Sequence, residues 1–241
     1  VFLHACRNER MVQRLAPLKA SSRQPEPYVL AESVKAPRAN GETPGSSGDQ
    51  HCQSDSCSSD LRWTAEPEAW TLVTGGLGGL GRLLLLYLVE KCGVRKVVVL
   101  SRSADGEKGQ ELKRELCSAG AVELRLIRGD VSKASDVSRA FDACGSSLRA
   151  VFHLAGVLDD GFMRQQSWKR FARVLQAKAT GAAILDAESR VRRSALDAFV
   201  LFSSVFSLIG FPQLTHYAAA NAFLDGLAAR RRREGLPGLS V

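Results

Sequence analysis

Apolar and polar positions follow two rhythms along the chain from about residue 70 onward. Short runs of β-branched and other apolar residues predict buried strands, and the longer stretches between them predict amphipathic helices. The predicted strands are Thr71–Thr74, Lys96–Leu100, Val122–Arg128, Ala150–Leu154, Ala198–Ser203 and Leu239–Val241. The predicted helices are Gly79–Lys91, Gly109–Ser118, Ala134–Ala143, Ser167–Ala187 and Tyr217–Arg233. This alternation is typical of the α/β class and predicts a Rossmann-type, doubly wound parallel sheet, whose sixth strand begins where the sequence stops.

Residues 1–65 lack this rhythm. The stretch from 21 to 62 is rich in serine, proline, glycine and charge, which predicts a linker or disordered segment. We therefore divide the chain into an N-terminal segment, 1–65, and an α/β domain, 66–241. His51, Cys52 and Cys57 lie in the first part without a fourth donor at a suitable spacing, so no metal site is predicted.

Composition narrows the classes of partner and compartment. A formal net charge of +8 suits an anionic ligand or an acidic partner, and equally a solvated surface with a basic bias. The basic residues lack interleaved aromatics, which disfavours nucleic-acid binding. The longest apolar run, Leu83–Val89, is far below the roughly 20 residues of a membrane span, so no membrane association is predicted. Six cysteines without framework spacing favour a reducing compartment such as the cytoplasm, with organelle targeting left open.

A glycine-rich turn follows the first predicted strand in the segment TLVTGGLGGLG. Gly76, Gly78 and Gly81 match the spacing of dinucleotide-binding turns, with a strand before them and a helix after them. Glycine permits a tight turn and lets a pyrophosphate approach the helix N-terminus, where free N–H groups favour negative charge. The predicted cofactor-binding residues of this turn are Thr74, Gly75, Gly76, Leu77, Gly78, Gly79, Leu80 and Gly81.

The end of the second strand predicts which dinucleotide is bound. Ser101 and Arg102 occupy the place where NAD-binding proteins usually carry an acidic residue for the ribose hydroxyl. An arginine pairs with a 2′-phosphate instead, so NADPH is the predicted cofactor; the alternative is an ordinary surface charge. Further cofactor contacts are predicted at the ends of the third and fourth strands, from Asp130, Val131, Ala155 and Gly156. His153, just before the last two, is assigned no chemistry.

Tyr217 raises a question about acid–base chemistry. It lies in HYAAANAFLD, four residues before Asn221 on the same face of a predicted helix. A phenol has a pKa of about 10, so a proton donor near neutral pH needs a cation beside the phenolate. Asn221 carries no charge. Either a lysine comes from another part of the chain, or Tyr217 is not catalytic.

A family resemblance bears on this question. The segments TGGLGGLG, SRS, GDV, HLAGVLDDG, FSSVFSLIG and HYAAANAFLDGLAARRRREGLPGLSV occur in order over about residues 68–241. Together they resemble the ketoreductase domain of modular polyketide synthases, a branch of the short-chain dehydrogenase/reductase superfamily. The resemblance implies NADPH-dependent reduction of a β-ketoacyl thioester on an acyl carrier protein, alongside other polyketide synthase domains.

The resemblance also implies roles for individual residues. Tyr217 would protonate the nascent alkoxide, and Ser204 would hydrogen-bond the substrate carbonyl. Lys178 on the preceding long helix matches the family's displaced lysine, which would lower the pKa of Tyr217; Lys169 competes for that role on sequence alone. Asn221 would stand where most of the superfamily has lysine, and would hold a water in a proton relay.

Substrate-side motifs imply a stereochemical subtype. Leu158, Asp159 and Asp160, together with Pro212, resemble the subtype that gives the D-configured (3R) product, whereas His216 departs from it. The family continues beyond the sixth strand into a lid helix and a final strand, so the domain is expected to be C-terminally incomplete. Two other functions stay open: a stand-alone carbonyl reductase and a catalytically inactive NADP-binding scaffold. Arg230–Arg233 is interpreted either as a docking surface for an acidic carrier protein or as a solvated helix end.

Overall fold

The computed structural model describes residues 64–120 and 123–241, which contain one parallel sheet with helices on both faces. The strands are β1 (Trp70–Thr74), β2 (Lys96–Ser101), β3 (Glu123–Arg128), β4 (Leu148–His153), β5 (Ala198–Leu201) and β6 (Leu239–Ser240). The helices are α1 (Gly79–Cys92), α2 (Glu107–Ala119), α3 (Ala134–Cys144), α4 (Trp168–Leu175), α5 (Gly181–Val191), α6 (Phe206–Ile209) and α7 (Thr215–Arg233). His51, Cys52, Cys57 and Val122 lie outside the described residues.

The strand order is β3-β2-β1-β4-β5-β6, with every neighbouring pair parallel. The order reverses between β1 and β4, which is the doubly wound arrangement. The prediction of an α/β, Rossmann-type fold is therefore confirmed.

Each face of the sheet has its own apolar layer because successive side chains of a strand point to opposite sides. Val73 of β1 packs with Leu85 and Leu88 of α1 on one face. Leu72 belongs to the opposite layer, with Phe141 of α3 and others from α5 and α7. All five residues of β1 are buried, as expected for a central strand covered on both sides.

Several elements differ from the predicted bounds. The long helix predicted over Ser167–Ala187 is three pieces, α4, a π-helical turn at Gln176–Thr180 and α5. The prediction did not include α6, and β5 ends at Leu201, two residues before its predicted end. Ser204 therefore lies on a turn beyond the strand.

The arginine run at the end of α7 is not a uniform surface feature. Arg231 is only 1% exposed, and its guanidinium donates to the carboxylate of Asp186 on α5 and to the carbonyl of Pro237. Its charge also lies 3.9 Å from the ring centroid of Phe199. Both sequence interpretations placed Arg231 in solvent, and for this residue both are wrong.

No helix in the described part of the chain combines the length and apolarity needed to cross a membrane.

Candidate active site

The carboxyl ends of β1 and β4 meet where the strand order reverses, which is where open α/β sheets bind ligands. The N–H of Leu154 donates to the carbonyl of Thr74 at 3.0 Å, so the two strand ends are joined. The glycine turn leaves this edge from β1, and Ala155 and Gly156 leave it from β4. The predicted cofactor residues of these two segments therefore lie side by side.

The glycine turn is too tightly packed for side chains at some positions and open at another. Gly75 has a φ of +74°, and a Cβ there would lie 2.7 Å from the backbone nitrogen of Ala155. A Cβ on Gly81 would collide with the carbonyl oxygen of Gly75. A Cβ on Gly79, the first residue of α1, would meet nothing within 4 Å. An open helix N-terminus without an acidic residue in its first turn fits the pyrophosphate of a dinucleotide.

The remaining predicted cofactor residues occupy the same edge in different ways. Arg102 is exposed immediately after β2. The carboxylate of Asp130 accepts from the N–H and hydroxyl of Ser132, at 2.9 and 2.8 Å, which fixes the turn after β3. Val131 is buried, and a Cβ on Gly181 would lie 2.8 Å from its Cγ1. Its side chain therefore packs against the first residue of α5.

Lys178, Asn221 and Tyr217 come together although they lie on two helical segments. The Lys178 ammonium donates to Asn221 Oδ1 at 2.7 Å, and its Nζ lies 5.2 Å from the centroid of the Tyr217 ring. Asn221 Nδ2 donates to the carbonyl of Tyr217 at 2.9 Å. The structure thus brings a cation from another part of the chain to the tyrosine.

Lys178 is held by backbone as well as by Asn221. Its ammonium also donates to the carbonyl of Phe202 at 2.6 Å, so two of its three protons are bound. It lies in the π-helical turn, a local widening often found at functional sites. A Cβ on Gly156 would lie 3.1 Å from Lys178 Cε, so the small residue at 156 makes room for the lysine stem.

Burial lowers the pKa of this lysine. Lys178 is 5% exposed, and desolvation lowers its pKa to about 8, while the carboxylate of Asp225 acts in the opposite direction. Asp225 is one helical turn beyond Asn221 on α7. Its Oδ2 accepts from the Ser207 hydroxyl at 2.6 Å, which ties α6 to α7.

Ser204 lies on the turn between β5 and α6. Its Oγ accepts from the N–H of Phe206 at 3.3 Å, and its carbonyl accepts from the N–H of Ser207. The neighbouring Ser203 donates to the carbonyl of Asn221 at 3.3 Å. Ser203 therefore contacts the backbone of α7, while Ser204 orders the turn that precedes α6.

The predicted substrate loop is held by Arg170 of α4. Arg170 Nε donates to Asp159 Oδ1 at 2.8 Å, and this bond is the largest cause that holds the pKa of Asp159 below its usual range. Arg170 Nη2 donates to the carbonyl of Asp160 at 2.8 Å. Leu158 is 64% exposed.

A second contact joins that loop to the segment before α7. The N–H of Gly161 donates to the carbonyl of Gln213 at 3.1 Å, beside the exposed Pro212. The structure therefore brings the Leu158–Asp160 loop and the segment containing Pro212 together.

Sequence reasoning did not predict three groups that hold the site together: the carbonyl of Phe202, the carboxylate of Asp225 and the side chain of Arg170. The carbonyl of Phe202 has no sequence signature, because any residue offers one. Asp225 had a signal, since it continues the spacing of Tyr217 and Asn221 by one further helical turn. Arg170 had none, because its partner lies on a loop whose path is set by the fold.

Comparison with known proteins identifies the family. Residues 69–241 match the family model of the KR domain. The chain belongs to the KR, or ketoreductase, domain family. This confirms the resemblance to the ketoreductase domains of polyketide synthases inferred from the motifs. Such domains are oxidoreductases that reduce ketoacyl groups, and the superfamily binds nicotinamide cofactors.

The curated relatives are much longer than this ketoreductase domain, which spans less than a tenth of the length of NorA or sor1. The spectinabilin polyketide synthase system protein NorA of Streptomyces orinoci is 41% identical over 182 residues, which covers 74% of this chain and 9% of NorA. The highly reducing polyketide synthase sor1 of Hypocrea jecorina is 36% identical over 184 residues, covering 74% of this chain and 7% of that protein.

Solved ketoreductase structures share the fold. The first ketoreductase of the tylosin polyketide synthase superimposes with a TM-score of 0.66 at 37% identity, covering 74% of this chain and 38% of that one. An N-terminal ketoreductase from the macrolactin assembly line gives a TM-score of 0.68 at 27% identity, covering 74% and 37%.

Proposed function

We propose that this ketoreductase domain reduces a β-ketoacyl thioester, held by an acyl carrier protein, to a β-hydroxyacyl thioester with NADPH, and that Tyr217 supplies the proton. One observation carries the proposal. The Lys178 ammonium is hydrogen-bonded to Asn221 and lies 5.2 Å from the centroid of the Tyr217 ring, which supports Lys178 as the cation that the proposed proton donor needs.

The cofactor would be held by the glycine turn and by Arg102. The N–H groups at the start of α1 would bind the pyrophosphate, and the exposed guanidinium of Arg102 would pair with the 2′-phosphate. NADPH, when bound, supplies the hydride for the carbonyl carbon. Ala155 and Gly156 would line the nicotinamide half of the site, beside Lys178.

Tyr217 and Ser204 would handle the carbonyl oxygen. The Ser204 hydroxyl donates a hydrogen bond to this oxygen and stabilises the negative charge that develops on it. The Tyr217 hydroxyl transfers its proton to the alkoxide, and the Lys178 charge stabilises the resulting phenolate.

Asn221 would act mainly as an anchor for the lysine. Both ends of its amide are hydrogen-bonded, Oδ1 to the Lys178 ammonium and Nδ2 to the Tyr217 carbonyl, and its side chain is fully buried. We assign it this anchoring role in place of the water-holding role expected from the sequence.

The substrate would enter over the loop of Leu158–Asp160 and the segment containing Pro212. Exposed apolar side chains lie on both segments or beside them: Leu158, Phe162, Leu208, Ile209 and Phe211. Such side chains suit an acyl chain. With Leu158, Asp159, Asp160 and Pro212 present, we propose the D-configured (3R) product. The other domains of a polyketide synthase would supply the carrier and receive the product.

The experiment measures NADPH consumption with a β-ketoacyl thioester and with a small ketone. The chain is compared with its Tyr217→Phe variant in two forms, residues 1–241 alone and residues 1–241 fused to the C-terminal part of the tylosin ketoreductase. We expect thioester turnover in at least one form, reduced about 100-fold or more by Tyr217→Phe. Turnover that survives Tyr217→Phe, or NADPH binding without turnover in both forms, contradicts the proposal. A preference for the small ketone would indicate a stand-alone carbonyl reductase, and binding alone an inactive scaffold.

A further inference from the structure

His153 is a fully buried histidine whose two ring nitrogens both have partners. It ends β4, with Nδ1 2.7 Å from the hydroxyl oxygen of Thr74 and Nε2 3.0 Å from the carbonyl oxygen of Lys178. One partner ends β1 at the glycine turn, and the other is the backbone of the lysine beside Tyr217. The ring therefore connects the cofactor turn to the catalytic lysine.

The partners fix which nitrogen carries the proton. A carbonyl oxygen can only accept, so Nε2 must donate to Lys178 and carries the hydrogen. In a neutral ring Nδ1 then accepts, from the hydroxyl of Thr74. The Thr74 oxygen in turn accepts from the N–H of Ala155 at 3.4 Å. Donors and acceptors thus run in one direction, from Ala155 through Thr74 and His153 to Lys178.

The surroundings keep the ring neutral. Burial lowers the pKa of His153 to about 4, the hydrogen bond to the Lys178 carbonyl opposes this shift, and the charge of Lys178 adds to it. The ring also lies against the first residue of α5, immediately after the π-helical turn, since a Cβ on Gly181 would lie 3.2 Å from His153 Cε1. The neutral imidazole thus joins β1 to the backbone of Lys178 by two hydrogen bonds and does not act as an acid or base.

We propose that His153 is a positioning residue that fixes the backbone of Lys178, and through it the ammonium, relative to the cofactor turn and Tyr217. The inference deepens the proposed function and rests on it, because it assigns a reason for the placement of Lys178. The Lys178 carbonyl also accepts from the N–H of Gly181, so His153 adds a second donor, fixed to the end of β4, to a carbonyl of the π-helical turn.

The first test reads the tautomer in the cofactor-free chain and needs no activity. ¹⁵N NMR of histidine-labelled protein, assigned with the His153→Gln variant, should show a neutral ring protonated at Nε2 that does not titrate between about pH 5 and 8. A ring protonated at Nδ1, or one that titrates near its ordinary value, overturns the inference. This result is independent of whether the domain proves to be a reductase.

The second test asks whether His153 acts through Lys178. His153→Leu is made in the chain with Lys178 and in the Lys178→Met chain, and kcat is measured at saturating NADPH. We expect His153→Leu to lower kcat about tenfold or more when Lys178 is present and less than about twofold when it is absent. His153→Gln, whose amide offers one donor and one acceptor, should recover part of the loss. Equal losses in both backgrounds would mean a merely structural role and overturn the inference.

Discussion

Lys178 and Asn221 are 43 residues apart in the chain, yet their side chains share a buried hydrogen bond of 2.7 Å. The bond joins the π-helical turn to α7, the helix that carries Tyr217. A lysine placed in this way can serve the tyrosine without being its neighbour in sequence. The chemistry of the site therefore depends on how the two helical segments pack.

The charge of Lys178 predicts how activity depends on pH. Its pKa is lowered to about 8, so it is mostly charged below that pH and loses its proton as the pH rises through it. Because the proposed mechanism uses this charge to stabilise the phenolate, we expect kcat/KM for ketone reduction to fall above about pH 8. A profile of kcat/KM against pH, measured at several thioester concentrations, shows this fall as the basic limb of the profile.

The effect of Asp225 on this fall in kcat/KM at basic pH can be tested with a matched pair of variants. Its carboxylate raises the pKa of Lys178, so Asp225→Asn should move the basic limb to lower pH. Ser207→Ala removes the hydrogen bond to Asp225 but keeps the charge, and should leave the limb in place. An identical shift in both variants would contradict the electrostatic explanation.

Alanine substitutions at three glycines distinguish an effect on packing from an effect on NADPH binding. Gly81→Ala places a methyl group against the carbonyl of Gly75, so both Tm and NADPH affinity should fall. Gly79→Ala meets open space, so Tm should hold while the methyl group hinders the pyrophosphate and weakens NADPH binding about tenfold. Gly226→Ala on α7 also meets open space and serves as the control. Unchanged NADPH affinity in Gly79→Ala would contradict a pyrophosphate at this turn.

Arg102 should determine the preference for NADPH over NADH. Arg102→Gln removes the partner of the 2′-phosphate, so the ratio of kcat/KM for NADPH to that for NADH should fall about 10- to 100-fold. Arg128→Gln is the control, because Arg128 ends the neighbouring strand β3 and is 3.5 Å from Asp105 in an ion pair. A larger loss from Arg128→Gln than from Arg102→Gln would place the 2′-phosphate elsewhere.

Arg231 should contribute to stability and not to partner binding. Arg231→Met removes one of the three arginines that donate to the buried carboxylate of Asp186 and leaves Arg190 and Arg230, so the free energy of unfolding should fall by about 1–3 kcal/mol. Arg233→Met changes an exposed side chain and should have almost no effect. Denaturant unfolding of both variants measures the difference, and equal losses would contradict the buried ion pair.

Local patterns predicted the fold and several of the residues that the fold brings together at the candidate site. The strands and the glycine turn follow from residue spacing, because burial on both faces demands apolar runs and a tight turn demands glycine. Other features depend on contacts between distant segments. The π-helical turn around Lys178 and the packing of Gly156 on that lysine are examples, since neither is encoded by neighbours in the chain. The run Arg230–Arg233 has the pattern of a surface, yet Arg231 is buried because the fold places Asp186 opposite it.

The most direct test of the mechanism compares two lysines of the same helical region. Lys178→Met and Lys169→Met are each assayed for NADPH-dependent reduction of a β-ketoacyl thioester, with Tm and NADPH affinity measured in parallel. Lys169 is exposed on α4, so its replacement should leave kcat within about twofold. Lys178→Met should lower kcat by about 100-fold or more while the domain stays folded. Loss of turnover in Lys169→Met, with turnover kept in Lys178→Met, would contradict the claim that Lys178 is the lysine that serves Tyr217.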